Sequence, residues 1–153
     1  MMTEADCWKR LQEVKDPEIP TVSVVEMGMV HEVEVMPGRI RIAMMPTFVG
    51  CPALEQIREQ VIRELSRQSG VNDVEVTFIF DPPWTSDRIT SEGARKLKEF
   101  GIAPPGREVD EFPPCPYCGE EQGEVENLFG PTACRAIYYC KRCRQPFEGM
   151  KKV

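Results

Sequence analysis

Apolar and polar positions alternate along this chain with two periods. Over residues 4–15, Trp8, Leu11 and Val14 recur every third position, and Lys9, Arg10, Gln12, Glu13 and Lys15 fill the intervening face, which predicts an amphipathic helix. Asp16-Pro17-Glu18-Ile19-Pro20 should end it in a stiff turn, because each proline keeps its predecessor out of the helical region. Val22 to Val35 reads as mostly extended, bent at Gly28, with Val33 and Val35 alternating with Glu32 and Glu34. After a Pro37-Gly38 turn, Arg39 to Met45 places Ile40, Ile42 and Met44 on one strand face, completing a hairpin.

The clearest helix is Ala53 to Ser69, with Leu54, Ile57, Val61 and Leu65 as its stripe, Ile62 widening it, Pro52 suited to the first position and Gly70 to the stop. Asp73 to Phe80 predicts a third strand with Val74, Val76, Phe78 and Phe80 facing one way, broken by Asp81-Pro82-Pro83-Trp84. A short helix from Ser91 to Phe100 would turn Ala94, Leu97 and Phe100 inward and stop at Gly101. Residues 102–114 hold four prolines and read as a semi-rigid linker. The expectation is an α+β domain over residues 1–101, a small mixed sheet of about three strands with helices packed on it. The linker and a β-rich module over 115–153 follow.

That last module carries the most specific chemistry. Cys115-Pro116-Tyr117-Cys118 and Cys140-Lys141-Arg142-Cys143 are two Cys-x-x-Cys knuckles separated by 21 residues, enough for a short hairpin that brings them together. Four thiolates so placed suit a tetrahedral Zn²⁺, or a single iron of the rubredoxin kind. Two disulfides would need an oxidising compartment. Gly119 suits the left-handed turn that follows such a knuckle, whereas Arg144 stands at the matching place after the second. A closed four-sulfur site holds a fold and does not by itself name a function.

Composition narrows the field. Of 153 residues, 29% are charged and 41% hydrophobic, as in a globular protein, and no apolar run approaches a membrane span. The acidic start Met1-Met2-Thr3-Glu4-Ala5-Asp6 lacks the pattern of a signal peptide, so the cytoplasm is the expected location. The net charge of −6 resides in residues 1–110, with 13 basic and 19 acidic side chains, while residues 111–153 hold 6 of each. Nucleic acid binding calls for a basic surface, and this balance argues against it. Lys141, Arg142, Arg144, Lys151 and Lys152 read as a solvated rim.

Cys51 falls at or next to the expected start of the strongest helix, where backbone amides and the dipole favour a thiolate. Thr47 and Gly50 precede it in a loop that lets backbone approach a ligand. A buried, packing cysteine is the competing reading. One sulfur cannot hold a cluster alone; a second chain (hence a homodimer), Asp16 or Glu18, or a bound thiol would have to complete it. Cys7 reads as a packing residue, and Cys134 either packs in the ribbon or substitutes for a knuckle ligand. His31, the single histidine, lies on an alternating strand. No metalloprotease helix pair, Gly-rich phosphate loop or Gly-x-Ser-x-Gly elbow is present.

Asp16-Pro17-Glu18-Ile19-Pro20, Val25-Glu26-Met27-Gly28-Met29-Val30 and Thr47 to Pro52 together resemble the SufT-like iron–sulfur assembly proteins. Pro82-Pro83-Trp84, Gly101-Ile102-Ala103-Pro104-Pro105 and the ribbon narrow the resemblance to the PaaD (PaaJ) family of the phenylacetyl-CoA ring epoxidase system. The resemblance implies a non-catalytic accessory role, maturing or repairing a metallocentre through a transient iron–sulfur cluster. Its partners would be proteins of that system or iron–sulfur carriers. It also implies that Asp16, Glu18, Thr47 and Cys51 are the motif residues and that Cys115, Cys118, Cys140 and Cys143 are zinc ligands. Cys134 matches a ribbon cysteine of the subfamily. Val49 departs from it, standing where a hydroxyl residue is usual.

Overall fold

The computed structural model describes residues 2–17, 19–47, 53–105, 112–128, 130 and 135–152. The chain forms two units, Met1–Trp84 and Thr85–Val153.

The first unit begins with α1 (Glu4–Leu11). Thr3 and Asp6 form a capping box: the Asp6 amide donates to Thr3 Oγ1 and the Thr3 amide to Asp6 Oδ2. The helix stops at Leu11, short of the expected Lys15, because the next backbone groups are spent elsewhere. The Val24 amide donates to the Val14 carbonyl, and Lys15–Asp16 (β1) pairs antiparallel with Ile19–Ser23 (β2).

Residues 24–28 turn instead of continuing a strand. The device is local: the Ser23 amide donates to Glu26 Oε1 at 3.0 Å and the Glu26 amide to Ser23 Oγ at 3.1 Å. Both side chains are buried, and the Ser23 hydroxyl also meets Gln12 Oε1. The Met27 amide closes on the Ser23 carbonyl.

Val30–Met36 (β3) and Arg39–Met44 (β4) then form the expected hairpin, and Asp73–Phe78 (β5) adds parallel to β4. The sheet is therefore mixed and three-stranded, in the order β3-β4-β5. Its inner face carries Val33, Ile40, Ile42, Met44 and Val76. Its outer face carries Glu34, Arg41 and Glu75 across one row, and Arg41 and Arg39 both bond to Glu75. The helix α2 (Leu54–Ser66) buries Ile57, Val61 and Leu65 of the stripe read from the sequence, leaves Leu54 and Ile62 half-buried, and packs with α1 and β5. Its N-cap is Ala53; Pro52, expected at the first helical position, lies outside the described residues. It ends before Gly70, which closes the following turn at φ +82°. Phe80, expected to continue the inward face of β5, lies beyond the strand and is 53% exposed.

The second unit starts with a 3-10 turn (Ser86–Arg88) and α3 (Ser91–Phe100), bounded as the periodicity predicts. Gly101 caps it at φ +93°, a left-handed conformation that costs glycine little. Leu97 is buried, but Phe100 is 46% exposed, outside the expected stripe. Ile102–Ala103 (β6), read as the start of the linker, is a strand. It pairs parallel with Pro146–Met150 (β9), and with Arg135–Cys140 (β8) and Gly123–Asn127 (β7) it makes a sheet ordered β6-β9-β8-β7. Two residues are too short to show a period, so burial of both had no sequence signal. Thus α3, expected in the first domain, groups with the ribbon. Tyr138 stacks on Phe147 at 5.5 Å between centroids, and Phe112 sets its edge against both.

Among the described residues no helix is long and apolar enough to cross a membrane.

Candidate metal centre

Both knuckles are built on one hydrogen-bond plan. In the first, the Gly119 amide donates to the Cys115 carbonyl at 2.8 Å, and the Cys115 amide to the Glu120 carbonyl at 2.9 Å. In the second, the Arg144 amide donates to the Cys140 carbonyl at 2.9 Å, and the Cys140 amide to the Gln145 carbonyl at 3.0 Å. Gly119 and Arg144 occupy equivalent left-handed positions, at φ +81° and +60°. The hairpin of β7 and β8 returns the chain so that the second knuckle meets the first.

The four Sγ atoms lie within 4.8 Å of one another. Cys115 and Cys143 are 3.8 Å apart and Cys118 and Cys140 3.5 Å, far beyond a disulfide bond of about 2.05 Å. Zinc–sulfur bonds of about 2.3 Å place tetrahedral ligands about 3.8 Å apart, so the donor set fits the ion. Cys115 and Cys140 are buried, Cys143 half-buried and Cys118 exposed. The Cys143 amide, with the Cys118 thiol and the Arg142 amide, holds Cys140 down at about 7, while burial and the neighbouring Cys140 push Cys143 up to about 12. Like charges this close cannot all ionise unaided; a divalent cation among them lets four thiolates coexist. Zinc bound there would be closed to substrate and would tie the ends of the hairpin together.

Of the second set of expected site residues, Asp16 is half-buried at the end of β1, and Thr47 half-buried three residues past β4. Glu18 and Cys51 lie outside the described residues, as do Val49, Gly50, Pro52 and Cys134. Ala53 is the N-cap of α2. Cys7 is fully buried and burial raises its thiol, in keeping with a packing role. His31 is exposed on β3. The buried Glu26 was not singled out from its chemistry, although Ser23-x-x-Glu26 is the sequence signature of a reciprocal cap.

Two families of known proteins match separate stretches of the chain. The family described as the PaaD zinc beta ribbon domain matches residues 105–151, and the family described as iron-sulfur cluster assembly protein matches residues 4–78. An Escherichia coli (strain K12) protein, provisionally named as the D component of 1,2-phenylacetyl-CoA epoxidase, is 37% identical over 153 residues, covering 97% of this chain and 92% of that one. The chain belongs to the PaaD family. Within it, the ribbon's four cysteines form the zinc-type site described above. A Porphyromonas gingivalis protein named Fe-S protein maturation auxiliary factor is 34% identical over 98 residues, 63% of this chain and 92% of its own. The crystal structure of a domain of unknown function (DUF59) from Bacillus anthracis superposes with a TM-score of 0.58 at 32% identity, covering 61% of this chain and 90% of that one.

Proposed function

We propose that this protein is an accessory factor of a phenylacetyl-CoA epoxidase system, which assembles or repairs an iron–sulfur or other metal centre and does not itself catalyse the ring chemistry. One observation supports it above the rest. An iron–sulfur assembly domain and a PaaD ribbon stand in one chain that aligns nearly end to end with a protein named for that epoxidase. The relatives of the first domain are named as maturation factors and not as enzymes.

In this reading the labour is divided. The ribbon zinc, held by Cys115, Cys118, Cys140 and Cys143, is structural. Cys51 takes the iron or cluster as cargo, because a thiolate is the soft ligand iron–sulfur chemistry uses. Asp16, Glu18 and Thr47 assist it, and a second chain or a client supplies the ligands that one thiol lacks. The partners are then proteins of the epoxidase system or iron–sulfur carriers, in the cytoplasm.

The test is elemental analysis and visible absorbance of protein purified without oxygen, wild type against Cys51→Ser. The expected result is about one zinc per chain in both, with iron and cluster absorbance only in the wild type. Iron absent from both would overturn the cargo role and leave a structural adaptor that docks through its ribbon.

A further inference from the structure

The equivalence of the knuckles makes Arg144 conspicuous. Its place is left-handed, and its counterpart is glycine, the residue such a place ordinarily takes. At the equivalent Gly119 a Cβ would meet nothing within 4 Å. Arg144 is exposed, and neither it nor Arg142 forms an ion pair among the described residues. Lys141, beside them, reaches only Glu124 at 3.3 Å, with both side chains mostly in water. Opposite, at the position in the first knuckle equivalent to Arg142, Tyr117 leaves 61% of its surface exposed. Since the knuckles close on one site, an uncovered tyrosine and three cations share the metal end of the ribbon.

Exposed tyrosine and arginine carried on the two knuckles are the composition of an interface and not of an ordinary solvated rim. We propose that the metal end of the ribbon, formed by Tyr117, Lys141, Arg142 and Arg144, is a docking face for an acidic, partly apolar segment of a protein partner. The cations would pair with carboxylates and Tyr117 would cover an apolar side chain. Glu124 and Glu126 lie on the adjoining strand and Glu120 and Glu121 just before it, so the occupant's carboxylates must seat on the knuckle cations away from that strand, which a short segment can do and an extended run of phosphates cannot. The inference concerns the ribbon alone and stands whether or not Cys51 carries iron.

The experiment measures anisotropy of a fluorescein-labelled peptide of alternating leucine and glutamate against the zinc-loaded full chain, with a leucine–lysine peptide and a single-stranded RNA as alternatives. The double variant Arg142→Glu/Arg144→Glu should weaken the acidic peptide about tenfold or more, and Tyr117→Ala should weaken it at unchanged salt dependence. Arg144→Gly should also weaken it while retaining zinc. Cys51→Ser should bind as wild type, which separates this result from the cargo reading. Equal binding by the double variant overturns the proposal, as does tighter binding of the RNA than of the acidic peptide. Zinc loss in Arg144→Gly overturns the assignment of Arg144, because its charge would then serve the metal site.

Discussion

The indole Nε1–H of Trp84 donates to the main-chain carbonyl of Met27 over 2.8 Å, joining positions 57 residues apart. Trp84 is the last residue of the first unit, and Met27 sits in the turn that Ser23 and Glu26 fasten. Both are buried. Trp84→Phe keeps most of the ring and removes the donor, leaving the carbonyl without this partner. The expected loss is about 1–3 kcal/mol in the unfolding of the first unit, read by denaturant titration.

The knuckles offer a paired measurement of backbone strain. Gly119→Ala places a Cβ in open space at φ +81°, so its cost should be conformational alone, about 1–2 kcal/mol. Arg144→Gly should run the other way and stabilise the zinc-loaded unit by about 1 kcal/mol or less, since glycine's freedom in the unfolded chain offsets part of the relief. Thermal melts of both variants with zinc bound check the signs.

Gly123 opens β7 where the first knuckle hands the chain to the hairpin. A Cβ there would lie 2.2 Å from the Tyr139 carbonyl oxygen and 2.3 Å from the Phe112 ring. Backbone cannot yield as a flexible side chain can. Gly123→Ala should therefore cost about 1–3 kcal/mol or more and weaken zinc retention against a chelator.

Glu75 gives a pH signature. Hydrogen bonding and charge from Arg41, then the charge and bond from Arg39, hold its carboxyl below the ordinary 4.5. A depressed folded value means that the contribution is complete above about 4.5 and fades as pH falls through the lower folded value. Arg41→Gln should lower stability near neutrality, leave it unchanged at pH below the folded value, and so flatten the curve in that acid window. Carboxyl chemical shifts of Glu75 during titration would show the same change directly.

The sequence was most legible where one period ran long enough to repeat. The stripe of α2, the bounds of α3 and the inward face of β4 all came from such repeats. The run from Val22 to Val30 defeated the reading because nearly every residue in it is buried, turn or strand alike, so apolarity carried no period. Phe80 failed because the pattern continues past the end of β5, and Phe100 because it is the last residue of α3, where the helix stays periodic but its side chain is left exposed. At the metal centre, spacing alone gathered four cysteines into one site, and Arg144 announced itself as the odd residue at the second knuckle. No spacing rule connects Asp16 or Thr47 to Cys51, so that constellation rests on the family resemblance.

The order of the ribbon sheet bears on how the chain is made. β9 lies between β6 and β8, yet it is synthesised after both. Until Pro146–Met150 leaves the ribosome, Ile102 and Ala103 have no sheet to join, and the β8 edge of the hairpin is unpaired. A nascent chain paused before that point would hold all four sulfurs and could capture its ion early, with the central strand arriving to a hairpin already cross-linked by metal.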